Sequence, residues 1–250
     1  MAYQQMAYLY DKLMEDAPYD RWLEFTLDLF QRSGKDIRTV ADLGCGTGVI
    51  TRKLAKEGYH MTGVDYSSDM LTHAEHSANK QNTPIRWLIQ DLRELQGLRN
   101  MDAAISYCDV INYITSEAEL LDTFTNIANI LKSEGLFLFD VHSLSHVQHN
   151  FINQTFAEVM EDTSYIWFCT EGEHPGEMYH DLTFFTLDGS KYSRFDEFHH
   201  QRTYEINFYK ECLMKAGFEN IHVFADFSTE EESIHEDAQR IFFMASKRSG

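Results

Sequence analysis

The feature that most limits how this chain can fold is a strand-to-helix turn through three alternate glycines. It reads Val40-Ala41-Asp42-Leu43-Gly44-Cys45-Gly46-Thr47-Gly48 and enters a helix at Val49-Ile50-Thr51-Arg52-Lys53-Leu54-Ala55. Glycine has no Cβ, so its backbone adopts positive φ and can approach a ligand closely. The first turn of the helix adds N–H groups that have no partner inside the helix. Short apolar strands at about 37–43, 60–64, 85–89, 101–107 and 135–140 then alternate with helices. Such alternation predicts a parallel sheet covered by helices on both faces.

Around this frame the pattern changes twice. Two helices come first, over 2–15 and 18–33, the second starting at Asp16 and Pro18 and stopping at Gly34. Ser116-Glu117-Ala118-Glu119 reads as a capping box opening a helix with Leu120, Leu121, Phe124, Ile127, Ala128 and Leu131 at helical spacing. Past Asp140 the chain becomes β-like, at 156–160, 165–170, 178–187 and 191–201, with Asp188-Gly189 as a hairpin turn. A helix at 204–216 and strands at 218–225 and 240–246 close it. The expected fold is α/β, a doubly wound sheet over 1–143 and 204–250 with N-terminal helices. Residues 144–203 are expected to form a small antiparallel β insertion.

The glycine turn, taken with later segments, resembles the first motif of the class I methyltransferases that use S-adenosylmethionine. A dinucleotide-binding fingerprint would need Gly or Ala at position 49, where this chain has Val49, and its third glycine one place later than Gly48. The second strand, His60-Met61-Thr62-Gly63-Val64, ends at Asp65. A carboxylate there sits beside the glycine loop and can accept from both hydroxyls of a ribose; otherwise it caps the next helix, a task Ser67 or Ser68 could share.

The resemblance covers roughly residues 38–140 and implies a Rossmann-like sheet, S-adenosylmethionine as cofactor, and a set of site residues. Gly44, Cys45, Gly46 and Gly48 would approach the cofactor through the loop backbone, and Asp42 would orient that loop near the methionyl ammonium. Tyr66 and Met70 would lie near the ribose or adenine. Asp91, followed by Leu92, would accept from the adenine amino group, although Asp91 also reads as a plain helix cap. Asp109 falls in the segment Ser106 to Tyr113 that faces cofactor and acceptor in relatives, and Tyr10 and Trp22 come from helices that could fold over the cofactor.

Transfer from an activated sulfonium chiefly requires the methyl to be held in line with a nucleophile. A proton acceptor is needed only when the acceptor atom carries a proton. His142, just past the fifth strand, and Tyr113, past the fourth, are the catalytic candidates; packing is the plainer reading of each. His142, His146 and His149 share helical spacing, but no carboxylate partner or cysteine cluster accompanies them, so no metal is expected.

Charge and composition narrow the partners. Lys+Arg 21 against Asp+Glu 40 gives −19, which opposes a phosphate backbone. Cys45, Cys108, Cys169 and Cys212 are scattered, without zinc or disulfide spacing. No apolar run is long enough to span a bilayer, and the N-terminus lacks a secretion signal. The sequence therefore predicts a cytoplasmic enzyme methylating an O or N atom of a small molecule, with neither nucleic acid nor membrane as partner. RNA or protein methylation and a non-catalytic cofactor-binding domain are the alternatives.

Overall fold

The computed structural model describes residues 17–230 and 234–249. The predicted helix over 2–15, and Tyr10 with it, lies outside the described residues. The elements run α1 Tyr19–Arg32, β1 Thr39–Leu43, α2 Val49–Lys56, β2 His60–Asp65, α3 Ser68–Lys80, β3 Arg86–Ile89, β4 Met101–Ser106, α4 Glu117–Ile130 and β5 Leu131–His142. There follow β6 Thr155–Val159, β7 Thr163–Glu171, β8 Glu177–Asp188, β9 Lys191–Arg202, α5 Ile206–Lys215, β10 Phe218–Ala225 and β11 Arg240–Lys247.

The main sheet has the order β10-β11-β5-β4-β1-β2-β3. Strands β1 to β5 pair in parallel, and the β10–β11 hairpin joins antiparallel to β5. Strand alternation divides the core between the two faces. Phe137, Phe139 and Phe243 meet α4 and α5 through Phe124, Ile127, Tyr209 and Leu213. Leu136, Leu138 and Phe242 point the other way, against Phe25 and Leu29 of α1 and Ile50 and Leu54 of α2. Phe139 and Phe243 stack at 4.8 Å between centroids. Burying each such ring stabilises the sheet by about 2–3 kcal/mol.

The helix α4 begins where the capping box placed it, yet Ser116 makes no side-chain capping bond. The box is not formed, and Glu117 and Glu119 favour the helix start through their charge alone. Strand β5 begins earlier than expected, because α4 ends directly into Leu131 in extended backbone. Among the described residues no helix is long and apolar enough to cross a membrane.

The expected insertion is present as a four-stranded antiparallel sheet, β6-β7-β8-β9, with Asp188 facing Lys191 across the tight turn. Its register places Tyr165, Trp167, Met178, His180, Phe184, Glu197, His199 and Gln201 on one face. Cys169 and Met178 of that face, with Val147, make a small separate core under Phe151 and Trp167. The sheet follows β5 and so starts at the C-terminal ends of the parallel strands, where open α/β sheets place their ligands.

Candidate functional site

The loop between β1 and α2 carries Gly44, Gly46 and Gly48 at φ 77°, 53° and 71°. The N–H groups of Gly44 and Cys45 both donate to the Val64 carbonyl, at 2.8 and 3.0 Å, which pins the loop to β2. A Cβ on Gly48 would stand 2.6 Å from the Trp87 ring, and one on Gly44 would collide with Val110. These two glycines are therefore demanded by close packing as well as by φ. Around Gly46 a Cβ would meet nothing within 4 Å, so the middle of the loop borders open space. Trp87, from β3, also fills the place a Cβ of Gly63 would take.

Asp65 ends β2 and is buried. Its Oδ2 accepts the Gly46 N–H at 2.8 Å and its Oδ1 accepts the Ser67 N–H at 2.9 Å. Burial raises its pKa against these backbone bonds and one from the Tyr66 N–H, and a carboxylate's two oxygens can still accept a further donor. The helix-cap duty belongs to Ser67, whose Oγ accepts from the Met70 N–H. Asp42 lies beneath the loop, where its Oδ2 accepts the Thr51 hydroxyl at 2.5 Å. Burial pushes its carboxyl up to about 7, against the Thr51 bond. Burial also raises the Cys45 thiol, followed by the charges of Asp42 and Asp65, so Cys45 offers its backbone and not a thiolate.

This cradle suits a cofactor with a ribose and an amino-acid end. An acidic side chain with free lone pairs stands beside an open stretch of loop backbone, and a second buried carboxyl lies under it. Tyr66 is 80% exposed beside them. The side chain of Asp91 caps the turn Leu92–Glu94 and pairs with Arg93, so its cap reading is realised. Leu92 is buried in the core.

A second cluster, not anticipated as a unit, joins the ends of β4, β5 and β11. Cys108 and Asp109 follow β4 with φ of 59° and 54°, an uncommon pair of left-handed residues outside glycine. They are held by Asp140 and Arg240. The Asp109 N–H donates to Asp140 Oδ1 at 3.1 Å, while Arg240 donates to Asp140 Oδ2 at 2.7 Å and to Asp109 Oδ1 at 3.1 Å. Trp22 donates its indole N–H to Asp140 at 3.0 Å and lies under the Arg240 guanidinium. Trp22 thus has its polar atom turned to Asp140 rather than toward the glycine loop.

His142 closes this cluster, with Nε2 3.4 Å from Asp109 Oδ1. Its backbone is fixed on both sides, by Asn112 Oδ1 on its N–H and the Thr203 hydroxyl on its carbonyl. Burial alone would raise the Asp109 carboxyl, but His142, Arg240 and Gln201 hold it well below the usual range. Burial raises the Asp140 carboxyl, only partly offset by Arg240. Of the two carboxyls that share Arg240, Asp109 is the one held low and the one that faces His142.

Strand β9 reaches over this cluster. Gln201 Nε2 donates to Asp109 Oδ2 at 3.0 Å, Tyr113 Oη lies 3.3 Å from His199 Nδ1, and Asn112 donates to the Arg202 carbonyl. Although Tyr113 is 46% exposed, desolvation of its phenol, then the Asp109 charge, raises it above the ordinary tyrosine range. His142 and Tyr113 are thus both at the C-terminal ends of the strands, linked through Asp109 and β9. His146 stays beside His142, at 6.0 Å between ring centroids, and bonds Asn150, while His149 bonds the Ser145 carbonyl.

Sequence reasoning missed Trp87, Asp140 and Arg240, and it read His199-His200-Gln201-Arg202 only as a segment that could reach an anionic substrate group, not as a partner of Asp109. A signal existed only for Asp140, a charge inside the apolar run Leu136 to Val141.

Comparisons with known proteins agree with this geometry. A family model described as a methyltransferase domain matches residues 40–135. Over 249 residues the chain is 43% identical to "Putative methyltransferase GWCH70_2453" of Geobacillus sp. (strain WCH70), covering 99% of this chain and 100% of that one. It is 23% identical over 234 residues to the glycine/sarcosine N-methyltransferase of Aphanothece halophytica, covering 90% of this chain and 81% of the other. An S-adenosylmethionine-dependent methyltransferase from Clostridium acetobutylicum ATCC 824 superposes with a TM-score of 0.89 at 28% identity, over 100% of both chains.

Proposed function

The chain belongs to the class I S-adenosylmethionine-dependent methyltransferases, and we propose that it methylates an oxygen or nitrogen atom of a small molecule. S-adenosylmethionine is its cofactor and supplies a methyl group already activated on a sulfonium. The observation that carries the small-molecule reading is the bonding of β9 onto the residues after β4, through Gln201 to Asp109 and His199 to Tyr113. A crevice roofed in this way excludes water and suits a compact acceptor better than a polymer. On this reading residues 144–203 act as a lid, and 1–143 with 204–250 form the cofactor domain.

The loop backbone from Gly44 to Gly48 holds the amino-acid end of the cofactor above Asp42. Asp65 accepts from the ribose hydroxyls, Tyr66 and Met70 flank that sugar, and Asp91 with Leu92 borders the adenine. Asp109 serves the acceptor side, because its carboxylate oxygens are already engaged by Gln201, Arg240 and His142. Trp22 supports Arg240 and Asp140 from below. His142 takes the acceptor proton, its Nε2–H directed to Asp109 and its Nδ1 left to receive. Tyr113, held in the phenol form, donates a hydrogen bond that orients the acceptor.

The acidic balance opposes binding to RNA, and the glycine/sarcosine enzyme of Aphanothece halophytica offers a precedent for a small amine acceptor. Incubation with methyl-labelled S-adenosylmethionine and, separately, a metabolite filtrate, tRNA and denatured protein tests the reading. Label is expected in the filtrate alone and lost in His142→Phe. Label in tRNA or protein would overturn it.

A further inference from the structure

A chain of hydrogen bonds enters the acceptor site from the inserted sheet, and its direction can be read without ambiguity. Trp167 Nε1 lies 2.9 Å from His180 Nδ1. An indole N–H donates and never accepts, so Nδ1 of His180 is the acceptor and the ring proton sits on Nε2. That Nε2 is 3.1 Å from Gln201 Oε1. The amide of Gln201 is thereby fixed with its oxygen toward His180 and its NH2 toward Asp109, an assignment usually left open for glutamine. Nε2 of Gln201 then donates to Asp109 Oδ2 at 3.0 Å. His180 and Gln201 are both buried, and burial lowers the His180 pKa to about 4, so its ring stays neutral.

Asp109 consequently has one oxygen committed to the lid. The other, Oδ1, is left for Arg240 and for the Nε2 of His142. Without the Gln201 bond the carboxylate could rotate, and with it the acceptor that selects between the two neutral forms of the His142 ring. Its Cys108-Asp109 backbone sits in a left-handed conformation that needs outside support.

We propose that Gln201, oriented by Trp167 through His180, is a positioning residue that fixes Asp109 and through it the tautomer of His142. The inference rests on the reading of His142 as the proton acceptor and extends the site to three residues of the insertion. It makes the insertion more than a wall. When β8 and β9 are seated, the His142 proton is held on Nε2 toward Asp109; when they are not, both neutral forms of the ring are available. Arg240 does not replace Gln201 here, because it grips the opposite oxygen.

The test is long-range 1H–15N correlation of the histidine rings in protein labelled at histidine, above the pH at which the rings are charged. In the unaltered protein His180 and His142 should both show Nε2–H. An Nδ1–H form of His180 would reverse the chain and overturn the proposal without any variant. Gln201→Leu and His180→Phe should each convert the single His142 form into a mixture. His180→Phe retains a ring in the same place and decides the matter if Gln201→Leu does not fold. A His142 ring that keeps one form in these variants, yet loses it in Asp109→Asn, would show that Arg240 alone sets the carboxylate, and the proposal fails. Whether His142 takes the proton is decided separately by label transfer in His142→Phe, so that reading can fail while the positioning stands.

Discussion

Asp65 accepts the Gly46 N–H at 2.8 Å, so the end of β2 and the open middle of the glycine loop form one unit. A single substitution there acts on both the loop and the proposed ribose contact. Asp65→Ala should weaken S-adenosylmethionine binding by about 1.5–3 kcal/mol, the scale of hydrogen bonds to a charged group. Titration calorimetry checks this, with thermal melting to confirm the fold. Unchanged affinity in a folded variant would remove Asp65 from the site.

Gly48 is held at φ 71° with Trp87 at 2.6 Å from its missing Cβ. Gly48→Ala should destabilise the protein by about 1–3 kcal/mol through backbone strain and overpacking together. Adding Trp87→Leu should return the packing part and leave the backbone part. Urea denaturation of the two single variants and the double variant measures this, and strictly additive losses would contradict the contact.

The Asp42 carboxyl titrates near neutrality, pushed up to about 7 by burial. A raised folded pKa means this group favours folding at low pH and loses that contribution as pH rises through about 7. A cofactor ammonium near the carboxyl would favour its charged form, so binding should release protons near pH 7. Affinity should accordingly rise from about pH 6 to about pH 8 and then level. Calorimetry in buffers of different ionisation enthalpy reports the released proton. The heat should become independent of buffer in Asp42→Asn; a buffer dependence that survives there would assign the proton elsewhere.

Arg240 pairs with both Asp109 and Asp140 while only 17% of its side chain is exposed. Arg240→Met removes the shared cation and leaves two buried carboxylates facing each other, at a cost of about 3–5 kcal/mol. Adding Asp140→Asn should recover part of the loss by removing one of those charges. Chemical denaturation distinguishes this from a surface pair, whose loss would cost at most about 1 kcal/mol.

The parallel sheet was legible because glycine turns, alternation and end carboxylates are local signals. β1, β2, β4, α1 and the Asp188 hairpin fall where periodicity places them. Gly44, Gly48 and Asp65 were legible as a candidate site because all lie within one strand–turn–helix–strand passage. The cluster around Asp109 was not, since Arg240 meets Asp109 across 131 residues and Gln201 meets it across 92. No spacing rule links such positions. His180 reads as an ordinary strand residue until the register sets it on one face with Gln201. The capping box failed for a related reason, because residue type at Ser116 cannot say where its hydroxyl will point.

The placement of Arg240 on the last strand has a consequence for the order in which the molecule becomes competent. Chains emerge from synthesis N-terminus first, and early segments can begin folding before later ones exist. The glycine loop and Asp65 are complete once β2 has formed. Asp109 and Asp140 then wait for a counter-charge that arrives only when residue 240 does. A nascent chain can thus assemble its glycine loop and Asp65 long before Asp109 and Asp140 are neutralised, and a chain cut short of residue 240 would keep those parts without the counter-charge of the Asp109 cluster.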